Sequence, residues 1–190
     1  MHRALALFFF AAIAITPFQD CEASNDSIAA FVAASGGEFD LNFADYDILL
    51  AAVSKANLVG ALANPEANFT LFAPNDYAFI RLARDLGYTG FSEAGAWAFL
   101  DQNVPTSLLT QVLLYHVVGE ELSATDVLFA GFFGTPVQSL LGATFQPTIF
   151  FTLSDNDPDA ADAGLFTPIT VQTGNAKVHT ITRVMRPIDL

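Results

Sequence analysis

The chemistry that the sequence offers most openly is a histidine inside an apolar run. Leu108 to Gly119 reads LLTQVLLYHVVG, so that Tyr115 and His116 stand side by side among aliphatic residues. A histidine in such a place could act as a general base, bind a metal, contact a partner, or serve as a neutral core residue. A base would need a nucleophile and an orienting carboxylate, and a zinc site would need further ligands.

Neither the nucleophile that a base would need nor the further ligands of a zinc site can be identified in the sequence. No serine lies in a Gly-x-Ser-x-Gly elbow, and the single cysteine, Cys21, lies in the N-terminal leader described below. His2 and His179 form no His-x-x-x-His pair with His116. We therefore expect no catalytic residue, no metal site and no cofactor. A buried, hydrogen-bonded role suits the neighbours of His116 best, and a recognition role for the Tyr115–His116 pair stays open.

A second candidate is the acidic stretch 155–162, which reads DNDPDAAD. Carboxylates at alternate positions can wrap Ca²⁺, which prefers six to eight oxygen ligands. An EF-hand loop starting at this point would place Gly and Glu where the chain has Ala160 and Phe166. The stretch is therefore not an EF-hand. A solvated loop is the simpler expectation, and Ca²⁺ binding is the alternative.

Residues 1–23 have the layout of a secretory signal peptide. A short basic start precedes an apolar run of twelve residues, Ala4 to Ile15, which is too short to span a bilayer. Cleavage after Ala23 would remove Cys21, so that the mature domain would fold without a disulfide. No later run has the length of a membrane helix. We expect a secreted, soluble protein that is extracellular or, in a bacterium, periplasmic.

Two Asn-x-Ser/Thr sequences, which begin at Asn25 and Asn68, become relevant if the protein is secreted. In a eukaryotic secretory pathway both are candidate sites of N-linked glycosylation.

The composition excludes several classes of partner. The chain has 190 residues, 53% of them hydrophobic, which suits one sizeable domain with a core rich in its 19 phenylalanines. Seven basic residues against 20 acidic ones give a net charge of −13, which disfavours nucleic acid and anionic membrane surfaces. No glycine-rich phosphate loop and no spaced cysteine pair is present.

The elements that must position these residues are helices in the first half of the chain and mostly strands in the second. Helical spacing of apolar residues and capping residues predict helices that start near Asp45, Asn75, Ser92, Pro105 and Ser123. β-Branched and apolar runs predict strands over 69–73, 145–153, 169–172 and 177–185. This order predicts an α+β domain.

Three blocks, taken in order, resemble the fasciclin domain family. Phe69–Phe79 (FTLFAPNDYAF) is similar to the leading motif of the family, Leu113–Gly119 (LLYHVVG) to its central segment, and Val178–Pro187 (VHTITRVMRP) to its closing strand. Upstream, Tyr46–Val53 resembles the first helix of the family. The signal-peptide pattern and the resemblance together divide the chain into a leader over 1–23, an N-terminal segment over 24–39 and a fasciclin-like domain over 40–190.

The resemblance implies a wedge-shaped β-sandwich of about seven strands with several packed helices. It also implies a non-enzymatic role in extracellular adhesion or matrix contact, with a protein or a polysaccharide as partner and the Tyr115–His116 pair as a recognition motif. The alternative is an extracellular carrier of a small apolar ligand or lipid, suggested by the phenylalanine count. A carrier would need an apolar cavity of about 300 Å³ or more, whereas adhesion would need an exposed aromatic patch.

Overall fold

The structure, a computed structural model, describes residues 27–35, 37–159, 161–174 and 176–188. The predicted leader over 1–23 and Asn25 lie outside these residues. Within them the chain folds into helices and strands that alternate at first and then give way to a run of strands. The α+β class expected from the sequence is confirmed.

The helices of the described chain are α1 (Ile28–Ser35), α2 (Asp47–Lys55), α3 (Val59–Leu62), α4 (Asp76–Asp85), α5 (Glu93–Asn103), α6 (Thr106–Tyr115) and α7 (Ala124–Phe133). The strands are β1 (Thr70–Pro74), β2 (Val117–Val118), β3 (Val137–Gln138), β4 (Thr144–Pro147), β5 (Thr152–Ser154), β6 (Ala163–Thr173) and β7 (Ala176–Ile181). Over the described residues, every helix falls short of the length and apolar character that crossing a bilayer requires.

The strands form one hydrogen-bonded series in the order β2-β1-β7-β6-β5-β4-β3. β1 and β7 run parallel, with Thr70 opposite Lys177, and the other neighbours are antiparallel. The two ends of the series also meet, because the Leu140 N–H just after β3 donates to the Val117 carbonyl of β2 at 2.7 Å. The sheet therefore curls around on itself, and its seven strands match the expected number.

Two hydrophobic cores lie on either side of β1 and β7. The larger one packs helices α1 to α6 against the sheet, and α1 contributes Ile28 and Val32 to it. The smaller one fills the curled sheet, where Phe72 meets the ring of Phe145 edge-on at 5.2 Å between centroids. Because α1 packs into the larger core, part of the N-terminal segment 24–39 is integral to the fold.

Helix starts follow local capping chemistry at three of the five predicted positions. The side chains of Asn75, Ser92 and Ser123 each accept a backbone N–H bond from the first turn of their helices. Ser123 forms a full capping box with Asp126. At α6 the residue before the first turn is Pro105, which makes no side-chain cap.

The prediction that Asp45 caps the next helix is wrong. The residue before α2 is Tyr46, and its side chain makes no capping bond. Instead, the carboxylate of Asp76 in α4 accepts the N–H groups of Asp47 and Ile48 at 3.1 and 2.8 Å. A cap supplied from another helix leaves no signal in the local sequence.

The prediction of one strand over 145–153 is also wrong. This segment is a hairpin of β4 and β5 whose turn spans Thr148 to Phe151, with Phe151 in the left-handed region at φ 57. The Thr148 hydroxyl hydrogen-bonds to that of Thr152 at 2.7 Å and so closes the turn. The apolar residues that suggested a buried strand are exposed at the tip.

Candidate functional site

Tyr115 and His116 lie at the junction of α6 and β2, inside the protein. Both are buried, with exposed fractions of 0% and 1%. The Tyr115 hydroxyl donates to the Thr144 carbonyl at 2.9 Å and so ties α6 to β4. The ring of Tyr115 also meets Phe145 edge-on, with 5.9 Å between centroids.

Both ring nitrogens of His116 have backbone partners. Nδ1 lies 2.7 Å from the Val112 carbonyl oxygen, and the Met185 N–H donates to Nε2 at 2.9 Å. Since Nε2 accepts, Nδ1 carries the proton and donates, which is the neutral form of the ring. Burial lowers the pKa of His116 to about 4. His116 is therefore a neutral link between α6 and the segment after β7.

His179 on β7 is a second buried, hydrogen-bonded ring. It stacks on Phe72 with 5.3 Å between centroids, and its Nε2 lies 2.7 Å from the Leu122 carbonyl oxygen. Burial lowers its pKa as well. In the described parts of the chain, neither histidine belongs to a group of three side chains that could hold a metal.

The acidic stretch 155–162 faces an arginine. The Arg186 guanidinium donates to Asp157 at 3.1 Å and to Asp85 at 2.6 Å. The Arg186 backbone N–H donates to Asp155 at 2.7 Å. Asp157 and Asp155 are thus held by Arg186. Among the described residues, the acidic side chains that lie close enough together to share a metal ion are found elsewhere, around the start of α2.

Exposed apolar side chains, which we call together the aromatic patch, lie on α7 and on the β4–β5 turn. Its members are exposed by between 36% and 80%: Phe129, Phe132, Phe133, Ile149, Phe150 and Phe151. Phe129 and Phe133 are one turn apart on α7 and stack, with 6.4 Å between centroids, and Phe132 meets Phe133 edge-on at 5.2 Å. A side chain at Gly131 would come within 2.7 Å of the Thr148 backbone, so the helix and the turn are in close contact.

A groove of about 640 Å³ lies between α4 and the segment before α5. Arginine and aromatic side chains alternate along it: Arg81 lies over the Tyr77 ring at 4.5 Å, and Arg84 lies over the Phe91 ring at 4.4 Å. A separate apolar cavity beside α2 and β1 measures only about 50 Å³. The groove is open and partly cationic, and the apolar cavity is too small for a lipid.

Comparison with known proteins assigns the chain to a family. The fasciclin domain model matches residues 44–187. The chain belongs to the fasciclin domain family. A similar solved structure is a FAS1 domain pair from the insect cell adhesion molecule Fasciclin I, with a TM-score of 0.59 and 14% identity. The alignment covers 83% of this chain and 50% of that one, so the chain spans about half the length of the domain pair. No curated protein matches the chain.

The fasciclin fold also brings together acidic residues that no sequence motif joins. Asp47, Asp76 and Glu93 lie in the first turns of three helices, and Asp40 and Asp45 lie in the loop before α2. Oxygens of Asp40, Asp47 and Glu93 lie within 4.8 Å of one another, as do those of Asp45, Asp47 and Asp76. No local pattern in the sequence indicates this group, because its members are far apart in the chain.

Asn68, the described glycosylation candidate, is exposed just before β1. The Thr70 hydroxyl of the same sequence motif is buried, where it donates to the Glu120 carbonyl and accepts from the Leu122 N–H, each at 2.7 Å. The asparagine side chain is therefore accessible in the folded domain, while the threonine serves the fold.

Proposed function

We propose that this fasciclin domain is a secreted, non-enzymatic binding domain of cell adhesion or matrix contact, and that it docks an extracellular protein on the aromatic patch. The single observation that carries the proposal is the patch itself. The three phenylalanines of α7 contact one another, and soluble proteins rarely expose contiguous apolar surfaces unless a partner covers them. Phenylalanine is also among the residues enriched at protein interfaces.

The distribution of polar groups supports a protein partner for this surface. Phe129, Phe132 and Phe133 follow helical spacing of three and four residues, so they form one face of α7 with no charged side chain between them. A polysaccharide partner would need hydrogen-bonding groups beside the rings. Such groups line the groove of Arg81 and Arg84, which is the natural place for the alternative partner.

The carrier alternative receives less support. Its requirement is an apolar cavity of about 300 Å³ or more. The apolar cavity beside α2 offers about 50 Å³, and the buried phenylalanines Phe72, Phe79 and Phe145 of the described chain are packed in the cores.

We propose that Tyr115 and His116 act in this function indirectly, by holding the fold. Their rings are buried and their polar atoms bind the backbone at Val112, Thr144 and Met185. A partner could reach neither ring without local opening. Glycosylation at Asn68 and secretion through the leader over 1–23 belong to the same proposal, supported by the exposure of Asn68 and the pattern of the leader.

The test uses the secreted protein immobilised on beads and exposed to the extracellular fraction of its source. A double variant, Phe132→Ser with Phe150→Ser, should lower binding at least about tenfold, since buried aromatic anchors dominate interface energies. Protease treatment of the extracellular fraction should abolish capture. The matched control is Phe91→Ser, because Phe91 in the groove is 64% exposed against 70% for Phe132. Loss of capture in the Phe91 variant alone would locate binding in the groove and contradict the proposal.

A further inference from the structure

Five carboxylates converge where the first turns of α2, α4 and α5 meet. Three carboxylate oxygens of this group are buried and accept no hydrogen bond from any described residue: Oδ1 of Asp45, Oδ2 of Asp47 and Oε1 of Glu93. Asp47 is 4% exposed and Glu93 0%. Removing an ionised oxygen from water without giving it a partner is costly, so these atoms point to a ligand.

The second oxygen of each buried residue is fixed by the loop that precedes α2. The Gly37 N–H donates to Asp47 Oδ1, and the Leu41 N–H donates to Glu93 Oε2 at 3.1 Å. Leu41 adopts a left-handed backbone, with φ 72, which is uncommon for a bulky residue. The protein thus orients the two side chains and leaves one oxygen of each for another group.

No basic side chain balances these acids in the parts of the chain that the structure describes. The ion pairs there join Lys55, Lys177, Arg183 and Arg186 to acids outside the group. Burial, and after it the neighbouring carboxylates, raise the pKa of Asp47 and Glu93.

The positive ends of the three helices α2, α4 and α5 also lie at this acidic group. Each helix N-terminus counts as about half a positive charge, so the three together supply about +1.5.

We propose that Asp40, Asp47 and Glu93 form a Ca²⁺-binding site, with Asp45 at its edge. All the donors are carboxylate oxygens, which suit hard cations, whereas zinc prefers nitrogen and sulfur. Calcium takes oxygens at 2.3–2.6 Å, so opposed ligands lie roughly 5 Å apart, which matches a group whose oxygens lie within 4.8 Å. Asp40 is exposed, so water can reach the ion and complete its coordination. This site goes beyond the proposed adhesive function and shares no residue with the aromatic patch.

Terbium, a luminescent substitute for Ca²⁺, provides a direct test with the full secreted chain. Trp97 is the only tryptophan and follows Glu93 by four residues on α5, so it lies one turn away on the same face. Excitation of Trp97 should therefore give saturable terbium emission that Ca²⁺ displaces. Glu93→Gln and Asp40→Asn should each weaken Ca²⁺ at least about tenfold, as changes around bound metals generally do. Asp40→Asn is the safer variant for folding because the side chain is exposed.

The matched control is Asp159→Asn, which removes one exposed carboxylate from the stretch 155–162. It should leave Ca²⁺ affinity unchanged. Ca²⁺ at about a hundredfold above its dissociation constant should also raise the melting temperature by roughly 5–10 °C in the wild type and much less in Glu93→Gln. Two results would overturn the proposal. One is terbium emission that does not saturate, or that about 10 mM Ca²⁺ fails to displace, a concentration about ten times the roughly 1 mM at which weak extracellular sites bind. The other is loss of emission in Asp159→Asn with retention in both site variants.

Discussion

Replacing His116 with alanine should destabilise the domain by about 3–5 kcal/mol. The substitution leaves the Met185 N–H and the Val112 carbonyl without their buried partner, and each unsatisfied group costs about 1–3 kcal/mol. It also leaves a cavity at a fully buried position, which adds to the cost. For a domain of this size the melting temperature should fall by roughly 10 °C or more.

Acid provides an independent signature of the same ring. The pKa of His116 is lowered to about 4 in the folded state, from 6.5 in an unfolded chain. The neutral ring therefore stabilises the fold fully above pH 6.5, and this contribution, at most about 3 kcal/mol, is lost as the pH falls from 6.5 to 4. His116→Asn keeps a donor near Nδ1 and cannot titrate, so its stability deficit relative to wild type should shrink over that window.

The assay is urea unfolding followed by circular dichroism at a series of pH values, with capture of the extracellular partner measured in parallel. His179→Asn is the control, because burial lowers the pKa of His179 as it does that of His116, but the His179 ring contacts Leu122 instead of Met185. If His116→Ala unfolds like the wild type yet loses the partner, the ring is a recognition element and the reasoning from burial is refuted.

Two further predictions concern α7, which carries the aromatic patch. Gly131→Ala should lower the free energy of unfolding in urea by about 1–3 kcal/mol, because the new carbon would lie 2.7 Å from the Thr148 backbone, which cannot rotate away. Gly60→Ala is the control and should lower it by nothing, because no atom lies within 4 Å of the new carbon. Equal effects of the two substitutions would contradict the close packing at Gly131. Ser123→Ala should cost about 1 kcal/mol by the same measurement, since it removes the capping box with Asp126; an unchanged midpoint would show that the box contributes nothing.

Elements whose causes are local in the chain could be predicted from the sequence. Asn75, Ser92 and Ser123 cap helices through their own following residues, and the junction of α6 and β2 lies inside the family block Leu113–Gly119. The family blocks gave the fold because they include this junction and the parallel pair of β1 and β7.

Features whose causes are distant in the chain could not be predicted in this way. The cap of α2 comes from Asp76, and the acidic group joins Asp40 to Glu93 through packing of three helices. Hydropathy misread the segment 145–153 because an exposed run of apolar residues has the same pattern as a buried strand. In each case the missing information was which surface a residue faces, and a local window does not contain it.

Calcium should protect the loop before α2 from proteolysis. Leu41 and Phe43 are exposed and suit chymotrypsin, and the loop is tied to the helices by the bond from Leu41 to Glu93 and by the Tyr77 N–H, which donates to the Phe43 carbonyl at 3.1 Å. An ion held by Asp40 on the loop and by Glu93 on α5 would add a further link, so that cleavage requires release of the ion.

Limited chymotrypsin digestion, with cleavage sites identified by mass spectrometry, should therefore slow after Leu41 and Phe43 when Ca²⁺ is added, and Glu93→Gln should abolish the effect. Cleavage after Phe150 in the β4–β5 turn serves as an internal control, because that residue is far more exposed and belongs to the aromatic patch. Its rate should not depend on Ca²⁺.

Proteolysis of a locally opened segment follows the population of the open form, so protection measures the added stability of the loop directly. Saturable Ca²⁺ binding without protection of Leu41 and Phe43 would mean that Asp40 is not a ligand, and the ion would then have to be held by the helices alone.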